Sequence, residues 1–304
     1  MAKLLFGSDP ELFASKKDSD GKDYVVPPVF FRNELGEPIK EFDRKHPTFQ
    51  EIKINSNEVI KVIEDGAAFE LTVPPRTNIM ELIDLIHTGY DKVEEIVSKH
   101  GYNISIIPTI NYNTEEYLNM GDDFLMCLLF GCDPDLDAFN TDKKQYEESA
   151  LEHPYRYGGG HIHISGSEFI QRYPIPAVRL LALTVGNFVT ANSPIPELEH
   201  LRTYRYGQPG KYRIQHYKKL YNNQPFTETG IEYRTPSNTW TKIKNMAEGV
   251  QFWAEIAIEK VLPNRKLGNK ILKEMAENGV MAILETNQIL AKRNLDMMKD
   301  MTGE

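Results

Sequence analysis

Two hydrophobic periods alternate along the chain. Apolar and polar residues alternate with a period of two around residues 3–14, 69–73, 102–108, 161–165 and 230–235, which predicts strands. A helical period takes over at 79–99, where Ile79, Leu82, Ile83, Ile86, Tyr90, Val93 and Val97 keep i, i+3, i+4, i+7 spacing behind Asn78 as N-cap. Residues 176–191 predict a buried helix with proline at its start. From Ile243 the pattern is helical to the end. Val250, Trp253, Ile256, Ala257 and Val261 form one stripe, and a second tract runs from Lys270 to about Met301 with Gly279 as a kink point. Residues 15–48 read as a polar excursion or hairpin containing a strand at Tyr24–Phe31, and 137–156 as polar loop. Strands and helices in this order predict an α+β fold.

Composition narrows the function classes. The 304 residues are 40% hydrophobic and 26% charged, ordinary for a globular chain able to bury a large core. A net charge of −9 argues against non-specific binding to nucleic acid or an anionic membrane. The longest unbroken apolar run, Phe124–Phe130, falls well short of the ~20 residues of a membrane helix, and the start, Met1 to Gly7, is too short for a secretory signal. Cys127 and Cys132 are too few for a disulfide scaffold or a structural zinc cluster, so a cytoplasmic protein is expected.

Four stretches carry chemistry. In Gly158-Gly159-Gly160-His161-Ile162-His163-Ile164-Ser165 a strand enters from a flexible turn and places His161 and His163 on one face. Paired imidazoles there bind a metal, shuttle protons or hold phosphate; otherwise they are two hydrogen-bonded strand histidines. In Gly7-Ser8-Asp9-Pro10-Glu11-Leu12 one strand aims both acids at one face, unless Ser-Asp-Pro forms a turn with solvated acids. Glu70, in Phe69-Glu70-Leu71-Thr72-Val73-Pro74-Pro75, lies opposite the apolar residues of its strand, as a solvent-facing acid would. Glu232 and Arg234, in Gly230-Ile231-Glu232-Tyr233-Arg234-Thr235-Pro236-Ser237, share a face as a simple ion pair or as ligand plus clamp. Between these stretches, Arg202, Arg205, Lys211 and Arg213 gather with three tyrosines in a run suited to phosphate or carboxylate oxygens. Gly131-Cys132-Asp133-Pro134-Asp135-Leu136 echoes the first acidic stretch, but Asp133 and Asp135 read as turn residues.

With these four stretches in this order, the chain resembles the phage-type carboxylate–amine ligases (amidoligase type 2) of the glutamine synthetase and glutamate–cysteine ligase superfamily. The likeness covers residues 7–237 and leaves the C-terminal helices out. It implies a curved, mainly antiparallel sheet lined by helices in a catalytic domain over 1–245, with a helical segment over 246–304 packed on it. It implies ATP and Mg²⁺ (or Mn²⁺) as cofactors, with Asp9, Glu11, Glu70, His161 and Glu232 as metal ligands. Arg234, Arg205 and Arg213 would act in catalysis; Arg202, Lys211, His163 and Arg234 would contact nucleotide. Asp9 departs from the more usual glutamate, and the acid expected ahead of Glu70 is either Asp65 or Glu64. The implied reaction joins an amino-acid or peptide carboxylate to an amine through an acyl phosphate, with no nucleic-acid or membrane partner and the C-terminal helices available for homo-oligomerisation. The alternatives are a guanidino phosphotransferase of the same fold, a metal hydrolase using His161 and His163, and a non-catalytic nucleotide- or metal-binding assembly protein. No Walker A pattern, dinucleotide glycine motif or His-Glu-x-x-His is present.

Overall fold

Asp9-Pro10 breaks the first predicted strand in two, and the whole architecture follows from that break. Pro10 has no N–H to give to a ladder, so strand β1 (Leu5–Ser8) ends before it and β2 (Glu11–Lys17) starts after it in a different sheet. The structure, a computed structural model, describes residues 3–31, 48–118, 135–140, 153–221 and 224–304. The cysteines, the run Phe124–Phe130 and Asp133 lie outside the described residues.

The protein is a mixed α+β fold. The strands after β2 are β3 (Asp23–Val26), β4 (Thr48–Lys53), β5 (Val59–Asp65), β6 (Ala68–Thr72), β7 (Asn103–Ser105), β8 (Thr109–Asn111), β9 (Leu136–Asp137), β10 (Tyr155–Tyr157), β11 (Ile162–Ser165), β12 (Lys211–Tyr221) and β13 (Gln224–Tyr233). One antiparallel sheet runs β1-β11-β13-β12-β9. The other runs β10-β8-β3-β2-β6-β5-β4, with β7 beside β2 and β3–β8 its parallel pair. The Tyr24–Phe31 segment is half strand: after Val26, Pro27 and Pro28 withhold their donors and a 3₁₀ turn follows at Pro28–Phe31.

Helix α1 (Ile79–Ser98) begins where Asn78 accepts from the Met80 amide at 2.9 Å, and it buries the apolar stripe read from its sequence. Helix α2 (Pro174–Asn192) widens into one π turn at Ala182–Gly186; it is long and apolar enough to cross a membrane, yet most of it is buried inside the fold. Helix α3 (Pro196–Thr203) precedes the Arg-Tyr run, and α4 (Lys244–Glu255) continues through a π turn to Val261. The final tract is two helices, α5 (Arg265–Leu284) and α6 (Gln288–Thr302), and the break falls at Thr286, in the left-handed region at φ 49°, not at Gly279. Gly279 sits inside α5 because α2 crosses closely there: a Cβ would lie 2.3 Å from Leu183 Cδ2. Residues of α2, α4, α5 and α6 share one hydrophobic core with β1, β11 and β13.

The two sheets meet along the glycine stretch. The Glu11 amide donates to the Gly159 carbonyl at 2.9 Å, and the Gly160 amide to that of Pro236 at 3.1 Å. Asn238 donates to the Glu11 carbonyl at 2.8 Å, and the Trp240 indole to that of Gly160 at 2.7 Å. A Cβ on Gly160 would stand 2.2 Å from the Ser237 carbonyl oxygen, so only glycine lets the strands close this seam.

Candidate functional site

Because Asp9 and Glu11 fall on either side of the break, they do not share a strand face. Each instead joins acids of its own sheet. Asp9, just past β1, meets His163 of β11 and Glu232 of β13, where His163 and Glu232 are register partners. Glu11 opens β2 directly opposite Glu70 of β6, and Asp65 ends β5 at the Asp65-Gly66 turn on the same face. In each triad, one ligand atom per residue lies within 4.8 Å of the others. Asp65 is therefore the acid ahead of Glu70 that sits in the cluster; Glu64, one residue away, is buried on the other face of β5.

The electrostatics of the two triads differ. Burial pushes the Glu11 carboxyl up to about 8, with the Asp65 charge adding to it. Glu70 is pushed well above the usual range by burial and then by Asp9, Asp65 and Glu11. A carboxylate-only cluster with no cation keeps protons instead. Burial also opposes the charge on Asp9, but His163 and His161 outweigh it and hold Asp9 well below the usual range. His163 is raised, since Asp9 overcomes its burial. Asp9 and Glu11, one in each triad, are separated by Pro10 alone, so the triads adjoin.

The imidazole among the ligand atoms is His163, with Nε2 3.3 Å from Asp9 Oδ2. His161 stands behind it. Its Nδ1 lies 3.2 Å from Asp9 Oδ1, 3.5 Å from Glu232 Oε1 and 3.3 Å from Arg234 Nη1. Burial and then Arg234 lower its pKa, and Nε2 lies 2.9 Å from the Tyr206 hydroxyl. With both nitrogens engaged, His161 orients Asp9 as an outer-shell partner would. The resemblance gave these two histidines the opposite roles.

The cations divide in the same way. Arg234, 2% exposed, pairs with Asp135 at 2.8 Å, with Glu232, and with the Tyr206 hydroxyl at 2.8 Å. Arg213 reaches Asp135 at 3.3 Å and Glu232 at 3.8 Å and keeps about a quarter of its side chain exposed (26%). Arg202 is buried and donates to the carbonyls of Thr235 (2.6 Å), Pro236 (3.1 Å) and Arg234 (3.4 Å); it holds the chain past β13 in place. Lys211 pairs with Asp137 at 3.4 Å, and Arg205 lies exposed over the Tyr204 ring. Of the basic run, only Arg213 joins Arg234 beside Glu232.

Sequence reasoning passed over four residues here. Asp135, read as a turn residue, clamps both arginines, and the echo of the Asp9-Pro10-Glu11 stretch was its signal. Tyr206 bridges Arg234 and His161 and stacks on Tyr157 at 6.2 Å. Gln215 donates to Glu232 and Tyr217 follows it on the same face; period-two counting from Arg213 would have found both. Comparison with known proteins finds no family model that matches the chain and no curated protein similar to it.

Proposed function

We propose that the protein is an ATP-dependent carboxylate–amine ligase with a sheet of the glutamine synthetase and glutamate–cysteine ligase type. One observation carries the reading: two adjoining triads, one from each sheet, meet beside the Arg234–Arg213 pair.

The triads fit divalent ions by their chemistry. Glu11, Asp65 and Glu70 offer oxygen only, while Asp9, His163 and Glu232 offer two carboxylates and one imidazole, donor sets suited to Mg²⁺ or Mn²⁺. Asp9 Oδ1 and His163 Nε2 are closed to solvent and make no well-formed hydrogen bond, only the contacts at 3.2 and 3.3 Å. Bound there, such ions would draw charge from the phosphate oxygens of ATP.

The chain's own groups do the rest. Glu11, Asp65 and Glu70 would hold one such ion through oxygen, and Asp9, His163 and Glu232 another. Arg234, fixed by Asp135 and Tyr206, and Arg213, partly open to solvent, face the negative charge that builds as a substrate carboxylate attacks the γ-phosphorus and ADP leaves. An amine then attacks the acyl carbon, phosphate departs, and the amide nitrogen loses its proton. Positioning and charge neutralisation are the protein's share of this chemistry.

Incubation with ATP, Mg²⁺ and a mixture of amino acids tests the reading. ADP release with an amide product is the expected result. Phosphoryl transfer to a guanidino compound would replace the ligase with the phosphotransferase alternative. No ADP release and no nucleotide binding in any mixture would sink both.

A further inference from the structure

Strand β12 sends Arg213, Gln215 and Tyr217 to one face, the face that carries Glu232 and Gly230 on β13. Arg213 and Gln215 both end on Glu232. Tyr217 continues the row, and its hydroxyl oxygen is shut off from solvent with no hydrogen-bond partner among the described residues. Burial, then the negative charges of Glu232 and Asp9, keep the phenol protonated, and the row sets it on the sheet face that carries Glu232. The ring reaches this position by lying across Gly230, where a Cβ would stand 2.9 Å from Tyr217 Cε2.

A buried hydroxyl without a partner lowers stability, and a phenylalanine would fill the same space without that cost. The neutral phenol has one hydrogen to donate, on the sheet face that carries Glu232. The missing acceptor is an oxygen that arrives with the ligand. We propose that Tyr217 is a binding residue, donating its hydroxyl hydrogen to an oxygen held on the ion at Asp9, His163 and Glu232. That oxygen belongs to a coordinated water or to a phosphate. The inference rests on the ion reading given above and extends it to a residue outside both triads.

The test uses the full chain and Tyr217→Phe, with Mn²⁺ alone and then Mn²⁺ plus ADP followed by calorimetry, and thermal melting of both proteins without metal. The metal-free variant should melt at the wild-type temperature or above it. Its Mn²⁺ affinity should fall about tenfold if water is the acceptor; if phosphate is, Mn²⁺ affinity should hold and ADP affinity fall about tenfold. A variant that melts lower with both affinities unchanged would make the hydroxyl structural and overturn the proposal, as would a variant identical in every measurement. Wild-type protein that takes up no Mn²⁺ would instead remove the ion reading itself, a separate failure visible before the variant is made.

Discussion

Arg234 donates through Nη2 to the Tyr206 hydroxyl at 2.8 Å, and that hydroxyl in turn reaches His161 Nε2 at 2.9 Å. A guanidinium from the end of β13 is thereby tied, through one phenol on the loop after α3, to the imidazole that steadies Asp9. Tyr206→Phe removes both hydrogen bonds and keeps the ring on Tyr157. The expected loss is about 1–2 kcal/mol of stability in chemical denaturation. ADP release should fall about tenfold or more, because Arg234 and Asp9 lose a shared support. A variant with wild-type turnover would show that the link does no positioning.

Glu70→Gln separates stability from ion binding. Glu70 stands opposite Glu11 in a buried site where every neighbouring acid raises its pKa. The neutral amide removes the cost of keeping this acid protonated in the fold, so the metal-free variant should melt at or above the wild-type temperature. The rise in melting temperature that Mg²⁺ or Mn²⁺ gives wild-type protein should shrink or vanish. Differential scanning calorimetry with and without the ion decides it; an undiminished ion-induced rise would exclude Glu70 from ion binding.

The acids also set a pH dependence. Glu11 holds its proton up to about 8 in the folded protein, well above an unfolded glutamate near 4.5. Between those values the native state binds more protons than the unfolded chain, so metal-free stability falls as pH rises from about 5 to 8. Glu70 and His163, both raised, act in the same direction; His161, lowered, opposes them below its ordinary value. Asp9, held low, contributes stability that is lost only in stronger acid. Denaturation midpoints at pH 6 and pH 8 should show the drop, and saturating Mg²⁺ should flatten it while binding releases protons. A metal-free midpoint that climbs over this interval would contradict the assignment.

Arg202 has a different task from the one its place in a basic run suggests. It is buried and donates to consecutive carbonyls beyond β13, with the Glu199 charge nearby. Arg202→Met should cost about 3–5 kcal/mol, since it strands those carbonyls and leaves Glu199 with one less cation. ATP affinity per folded molecule should be unchanged. Equilibrium denaturation and nucleotide binding below the unfolding transition check the two halves; a selective loss of nucleotide affinity with intact stability would return Arg202 to the phosphates.

Much of this arrangement is legible in residue order. The apolar stripe of α1, the strand that carries His163, and the pairing of Glu232 with Arg234 follow from local periods, while His161 falls just ahead of that strand. What the sequence does not carry is partner choice across the chain. Whether Asp9 and Glu11 share a face depends on one proline ending a strand, and the local pattern on both sides reads as continuous. Which histidine faces the ligand atoms depends on Tyr206, distant in sequence and placed by tertiary packing. A buried arginine and one partly open to solvent look alike in a basic run, so Arg202 and Arg213 separate only once the carbonyls past β13 are in place.

The division of the acids between the sheets has a mechanical consequence. A polyphosphate chain coordinated at both triads would rivet one sheet to the other at the glycine crossing, which backbone hydrogen bonds and the side chains of Asn238 and Trp240 already span. Loading and emptying the site then amounts to fastening and releasing that joint. Amide hydrogens of Glu11 and Gly160 should report each cycle by slowing their exchange when the rivet is in place.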